Sequence, residues 1–155
     1  MLYTTLLSLH SIVRWLVLAS VLVAVFRIYR GWFTNRPFDN FDEKSNRIAV
    51  SMLHLQFTIG ALLYFLSPII RYFYQHYNEA VHERQIRFFG MEHSSMMFLA
   101  VFVISMGVSL AKKKDEDQKK FKILGICYTV GILLILINIP WPFSPFAARP
   151  YLRFF

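Results

Sequence analysis

The chain has 155 residues, of which 56% are hydrophobic and only 17% are charged, and its mean hydropathy is +0.44. That is too little polar material to cover a soluble domain of this size, which excludes a water-soluble single domain. The formal net charge of +8 sits in the segments between apolar runs, so it reads as membrane topology and not as a nucleic-acid surface.

Charge-free stretches cover residues 48–70, 93–111 and 123–148, and residues 1–26 carry one charge, Arg14. These stretches predict a single transmembrane domain over residues 1–155, an all-α integral membrane four-helix bundle of up-down topology. The first helix is expected over residues 2–29. Met1 to Ser11 holds no positive charge, so this span is expected to be an uncleaved anchor and not a signal peptide. The second helix is expected over 47–70, with a stop signal at Ser67-Pro68.

Between spans two and three, Phe73, Tyr77, Val81 and Phe88 recur at helical spacing, predicting a short amphipathic helix at the interface. An extension of the second helix is the alternative. The third helix is expected over 91–111. The lysine-rich turn 112–122 then predicts that helix four, over 119–139, is its antiparallel neighbour. Pro140-Trp141-Pro142 ends that helix and leaves an aromatic tail, 140–155.

Eleven basic residues lie in segments 27–47 and 112–122, against five on the other side: Arg71, Arg84, Arg87, Arg149 and Arg153. Positive charge marks the cytoplasmic side, so both termini are expected to face outward. Cys127 is the only cysteine, which excludes a disulfide framework and covalent haem attachment, and its expected role is packing.

Ionisable groups inside spans need a partner or a function. His10 stands 17 residues from Arg27, and His93 stands 19 from Lys112. At about 1.5 Å per residue they lie about 25 and 28 Å from the inner boundary, nearly level. Helices one and three run in the same direction, so the two imidazoles can face each other and ligate one b-type haem. Gly60, about 20 Å up, would leave room for the porphyrin, and Asn138, about 24 Å up, could orient the second ring nitrogen of His10. Arg14 lies one turn deeper than His10 and needs an anion: a haem propionate, a quinone oxygen or a lipid phosphate.

His54, about 10 Å up, with Thr58 and Tyr128 defines a second, inner polar level. Without a further histidine there it cannot hold a second bis-histidine haem. A hydrogen bond across helices is its expected role, with a quinone or proton site as the alternative. His76 and His82 are expected to be solvated, and neither their spacing nor the methionines of helix three recommend a further metal site.

Leu9-His10-Ser11 with Arg14-Trp15, His54-Leu55-Gln56, Gly60 before Tyr64-Phe65-Leu66-Ser67-Pro68, Glu92-His93, and Ile139-Pro140-Trp141-Pro142-Phe143 together resemble the small four-helix bacterial membrane proteins labelled cytochrome B, over nearly the full length. That resemblance implies a haem-associated role in the inner membrane. Di-haem bundles of the b561 type use two histidine pairs, whereas this chain offers one complete pair.

The expectation is therefore a cytochrome with one haem b held by His10 and His93, passing electrons to or from a quinol or a periplasmic partner. The alternative is a non-redox scaffold or accessory subunit of a larger membrane complex, with Tyr151 to Phe155 and the outer helix as contact surfaces. Self-association into a homo-oligomer is compatible with either. A transporter or proton channel would need a continuous polar path, and an apolar stretch separates the two polar levels.

Overall fold

The computed structural model describes residues 2–152, and these form helices with no strand among them. Among the described residues, four helices are long and apolar enough to cross a membrane. In chain order they are α1 (Leu2–Thr34), α2 (Asn40–Leu66), the composite span Arg84–Ala111, and α7 (Asp117–Asn138). The composite span contains α5 (Arg84–Arg87), a π turn (Phe88–Glu92) and α6 (His93–Ala111). Helix α1 packs on α2 and α7, and α6 packs on the same two, so α1 and α6 stand diagonally across an up-down bundle.

The helix ends depart from the sequence expectation because hydropathy marks the lipid while capping marks the helix. α1 runs on to Thr34 and stops at Asn35, whose φ of 51° is the left-handed conformation that Asn tolerates at a helix end. α2 starts at Asn40, where Asp39 and Asp42 form a reciprocal capping box. It ends at Leu66, because Pro68 begins a new helix, α3 (Pro68–Gln75). The third span reaches back to Arg84 through the π turn, and α7 occupies Asp117–Asn138.

The short helix expected between spans two and three is present but broken. Residues 68–87 carry three short pieces, α3, α4 (Tyr77–Ala80) and α5; α3 and α5 pack against the π turn, Ile70, Phe73 and Ala80 are buried, and Tyr77 is exposed. His76 ends α3 by stacking on Tyr72, with ring centroids 4.5 Å apart.

The core is a file of small and branched side chains along α1, with Val21, Ala24 and Ile28 fully buried against Ala49, Ala100, Ile104 and Leu124. α6 and α7 come close where Gly107 meets the Cys127 side chain and Gly131 meets Ile104, so Cys127 serves packing. At the end of the bundle that carries the α1–α2 turn, Asp42 is buried between two arginines. Arg27 Nε reaches it at 2.9 Å, and Arg36 grips it with two nitrogens at 2.6 and 2.7 Å.

After Asn138 the chain is irregular and folds back over the end of the bundle that holds the start of α1. Trp141 and Tyr151 pack on Trp15, and Phe146 stacks on Phe88. Arg84 donates to the Pro145 carbonyl at 3.1 Å. Of the aromatic tail, Arg153, Phe154 and Phe155 lie outside the described residues.

Candidate functional site

His93 is the first residue after the π turn, and its backbone N–H closes that turn on the Phe88 carbonyl, five residues back. Such a turn shifts the helix register by one residue and frees main-chain groups, a feature that recurs at functional sites. The Tyr64 hydroxyl donates to the Gly90 carbonyl within it at 2.8 Å. Glu92 pairs with Arg87 at 2.7 Å, so its carboxylate serves the same local structure.

The ring of His93 is oriented by the end of α7. A helical carbonyl accepts from the N–H four residues on. For Leu136 that position is Pro140, which has no N–H to give, and Asn138 is the last residue of α7, where Ile139 turns extended and no helical N–H follows. Both freed carbonyls find other donors: the Trp141 indole reaches Leu136 O at 2.8 Å, and His93 Nδ1 reaches Asn138 O at 2.8 Å. A carbonyl can only accept, so Nδ1 carries the hydrogen and Nε2 of the neutral ring keeps its lone pair. That is the arrangement a metal-ligating histidine adopts. Asn138 therefore contributes through its backbone oxygen and to His93, not through its amide to His10. The amide instead caps Leu134 O at 2.9 Å.

His10 faces the same space from α1. Its Nδ1 is buried and has no partner among the described residues. A Cβ added at Gly60 would come within 3.2 Å of His10 Cε1, so the ring lies where α2 has no side chain. Gln56, one turn before Gly60, donates to the His10 carbonyl at 3.0 Å, while its own Oε1 is buried without a partner among the described residues.

Between these groups lies a cavity of about 640 Å³, lined by His10, Arg14, Gly60, His93, Arg149 and predominantly apolar side chains. Its size falls in the range of about 300–1,000 Å³ common for cofactor sites. Arg14 donates through Nη2 to the Tyr151 carbonyl at 2.6 Å, and the Trp15 indole shares that acceptor at 3.0 Å.

The inner polar level does not assemble. His54 is exposed on the outside of the bundle and bonds Ser105 Oγ of α6 at 3.0 Å, the cross-helix bond the sequence suggested. Thr58 is also exposed and bonds back to the His54 carbonyl at 2.9 Å. Tyr128 is fully buried on α7, on the diagonal from α2, and its hydroxyl has no partner among the described residues. One face of α2 cannot present His54 both to the bundle surface and to a core residue of the opposite helix.

Sequence reasoning missed Gln56 and Arg149 as parts of the cavity, and the way His93 is oriented. The last was readable in part: Pro140-Trp141-Pro142 ends the helix, and Pro140, counted back four residues, names Leu136 as one carbonyl left free. The π turn has no comparable signature, since nothing in Phe88 to Glu92 distinguishes it from ordinary helix.

The residues present fit a haem by three observations: two imidazoles on one cavity, an orphaned buried nitrogen on His10, and a ring-orienting bond on His93, while the space beside Gly60, expected for the porphyrin, is taken by the His10 ring itself. Among the described residues no three His, Cys, Asp or Glu side chains gather as a metal cluster, and bis-imidazole ligation needs only two. The chain matches no family model, no curated protein and no solved structure.

Proposed function

We propose that the chain is a membrane b-type cytochrome that holds one haem between His10 and His93. The observation that carries this reading is the placement of both imidazoles on one largely apolar cavity, with His93 held so that Nε2 is free. When bound, haem supplies a one-electron ferric–ferrous couple. The protein holds the ring nitrogens in place, excludes water with apolar walls, and sets the surrounding charge through Arg14 and Arg149.

The charge distribution supports an orientation with the lysine-rich turn inside and both termini outside, in a bacterial inner membrane. The cavity then opens towards the outer half of the bilayer, within reach of a quinol or a periplasmic redox partner. Haemin titrated into the purified protein is expected to bind one per chain, giving a six-coordinate low-spin spectrum. Replacement of His10 or His93 by alanine should each remove the low-spin form. A low-spin spectrum that survives in either variant contradicts the ligation.

A further inference from the structure

A π turn is rare, so a chain that keeps one at a fixed place needs contacts that hold it there. The turn Phe88–Glu92 is held at Gly90 by side chains of two other elements. From the last turn of α2 the Tyr64 hydroxyl reaches the Gly90 carbonyl at 2.8 Å, and from α3 the Tyr74 hydroxyl meets the Tyr64 oxygen at 2.8 Å. A carbonyl only accepts, so the Tyr64 hydrogen is committed to Gly90 and Tyr74 donates to Tyr64. The bonds therefore run one way, from the exposed Tyr74 through Tyr64 to the turn. Phe73, buried on α3, closes the contact: a Cβ added at Gly90 would lie 2.5 Å from Phe73 Cγ, so only bare main chain fits there.

What the turn holds is His93. Gly90 stands three residues before it, less than one helical turn. The rings of Phe88 and Phe89, both in the turn, flank the imidazole with centroids 5.5 and 6.1 Å away. A π turn shifts the register by one residue, and one residue rotates a helix by about 100°. If the turn relaxed to ordinary helix, the imidazole and its flanking rings could not all keep their places, and the 2.8 Å bond from Nδ1 to Asn138 O would be lost.

We propose that Tyr64 is the positioning residue for His93. By holding the Gly90 carbonyl it keeps the π turn, and the turn aims Nδ1 at Asn138 and leaves Nε2 to the cavity, whose wall Tyr64 shares. What Nε2 then binds rests on the haem reading above, and a haem-free readout separates the two.

The experiment is nitrogen-15 NMR of the full chain, labelled at histidine, in lipid nanodiscs without haem at about pH 8, where imidazoles are neutral. The His93 signal, identified by its loss in His93→Ala, is expected in the Nδ1–H form in the wild type. Tyr64→Phe removes only the hydroxyl and should give a mixture of the two tautomers. Tyr74→Phe leaves the bond to Gly90 in place and should keep Nδ1–H. A wild-type His93 in the Nε2–H form, an unchanged tautomer in Tyr64→Phe, or an equal change in Tyr74→Phe overturns the proposal.

In haemin titrations, Tyr64→Phe should lower the affinity by about tenfold, the range for a lost ligand-orienting partner. Tyr64→4-aminophenylalanine restores a donor at the same place and should recover it. Should Tyr64→Phe fail to fold, the 4-aminophenylalanine variant decides: Nδ1–H at His93 supports the role of the donor, and Nε2–H, or failure of this variant to fold as well, overturns it. Failure of the haem reading would appear separately, as haemin that never becomes low-spin while the tautomer change stands.

Discussion

A neutral imidazole inside a membrane helix has one nitrogen that donates and one that accepts, and each must be satisfied or used. His54 gives Nε2 to Ser105 on the bundle surface, away from the cavity, whereas His93, with Nδ1 engaged by a backbone carbonyl, and His10, with Nδ1 unpartnered among the described residues, both line the cavity. The difference separates a histidine that joins helices from two that are poised for a ligand. Gly60 is part of the poise, because its missing side chain is the space beside the His10 ring. Gly60→Val is therefore expected to displace the ring and weaken haemin binding by about tenfold or more, in the range for disturbed ligand orientation. Helix content by circular dichroism should not change. That His10 and His93 line one cavity was legible from residue counts, since a helix converts counts into distance. The role of Asn138 was half legible: its level was right, but a backbone atom and not the amide does the orienting.

At the scale of elements, the end of α7 and the α1–α2 turn carry separate consequences. Pro140→Ala would return an N–H to Leu136 O and lift the bar on helical backbone at Ile139, so α7 can run past Asn138 and carry off the carbonyl that fixes His93. The expected result is a fall in haemin affinity of about tenfold, read by absorbance titration. In the α1–α2 turn, Asp42 is buried against Arg27 and Arg36. Asp42→Ala leaves those arginines facing each other and should cost about 3–5 kcal/mol, measured by unfolding in mixed micelles.

Asp39, in the same turn, has its pKa held down to about 2 by the Asp42 backbone N–H and then by Arg27 and Arg36. Its carboxylate therefore stabilises the fold fully above about pH 4 and loses that effect as the pH falls towards 2. Asp39→Asn should flatten the acid limb of a melting-temperature profile. These ends escaped the hydropathy reading because a helix extends wherever its backbone is capped, and charge beyond the lipid does not stop it.

For the whole molecule, composition alone gave the membrane class and the helix count, because lipid tolerates no open backbone and the apolar runs match its thickness. The folded-back tail was not legible, since its contacts join residues far apart in the chain, as between Arg14 and Tyr151. It is the tail that brings Arg149 to the cavity and makes the site more than two histidines between helices. The central claim is that both rings serve one iron. Electron paramagnetic resonance of the ferric protein tests it most directly, with His10→Ala and His93→Ala measured alongside. The account predicts a low-spin bis-imidazole signal in the wild type that turns high-spin in each variant; an unchanged low-spin signal in either variant, or a high-spin wild type, would contradict it.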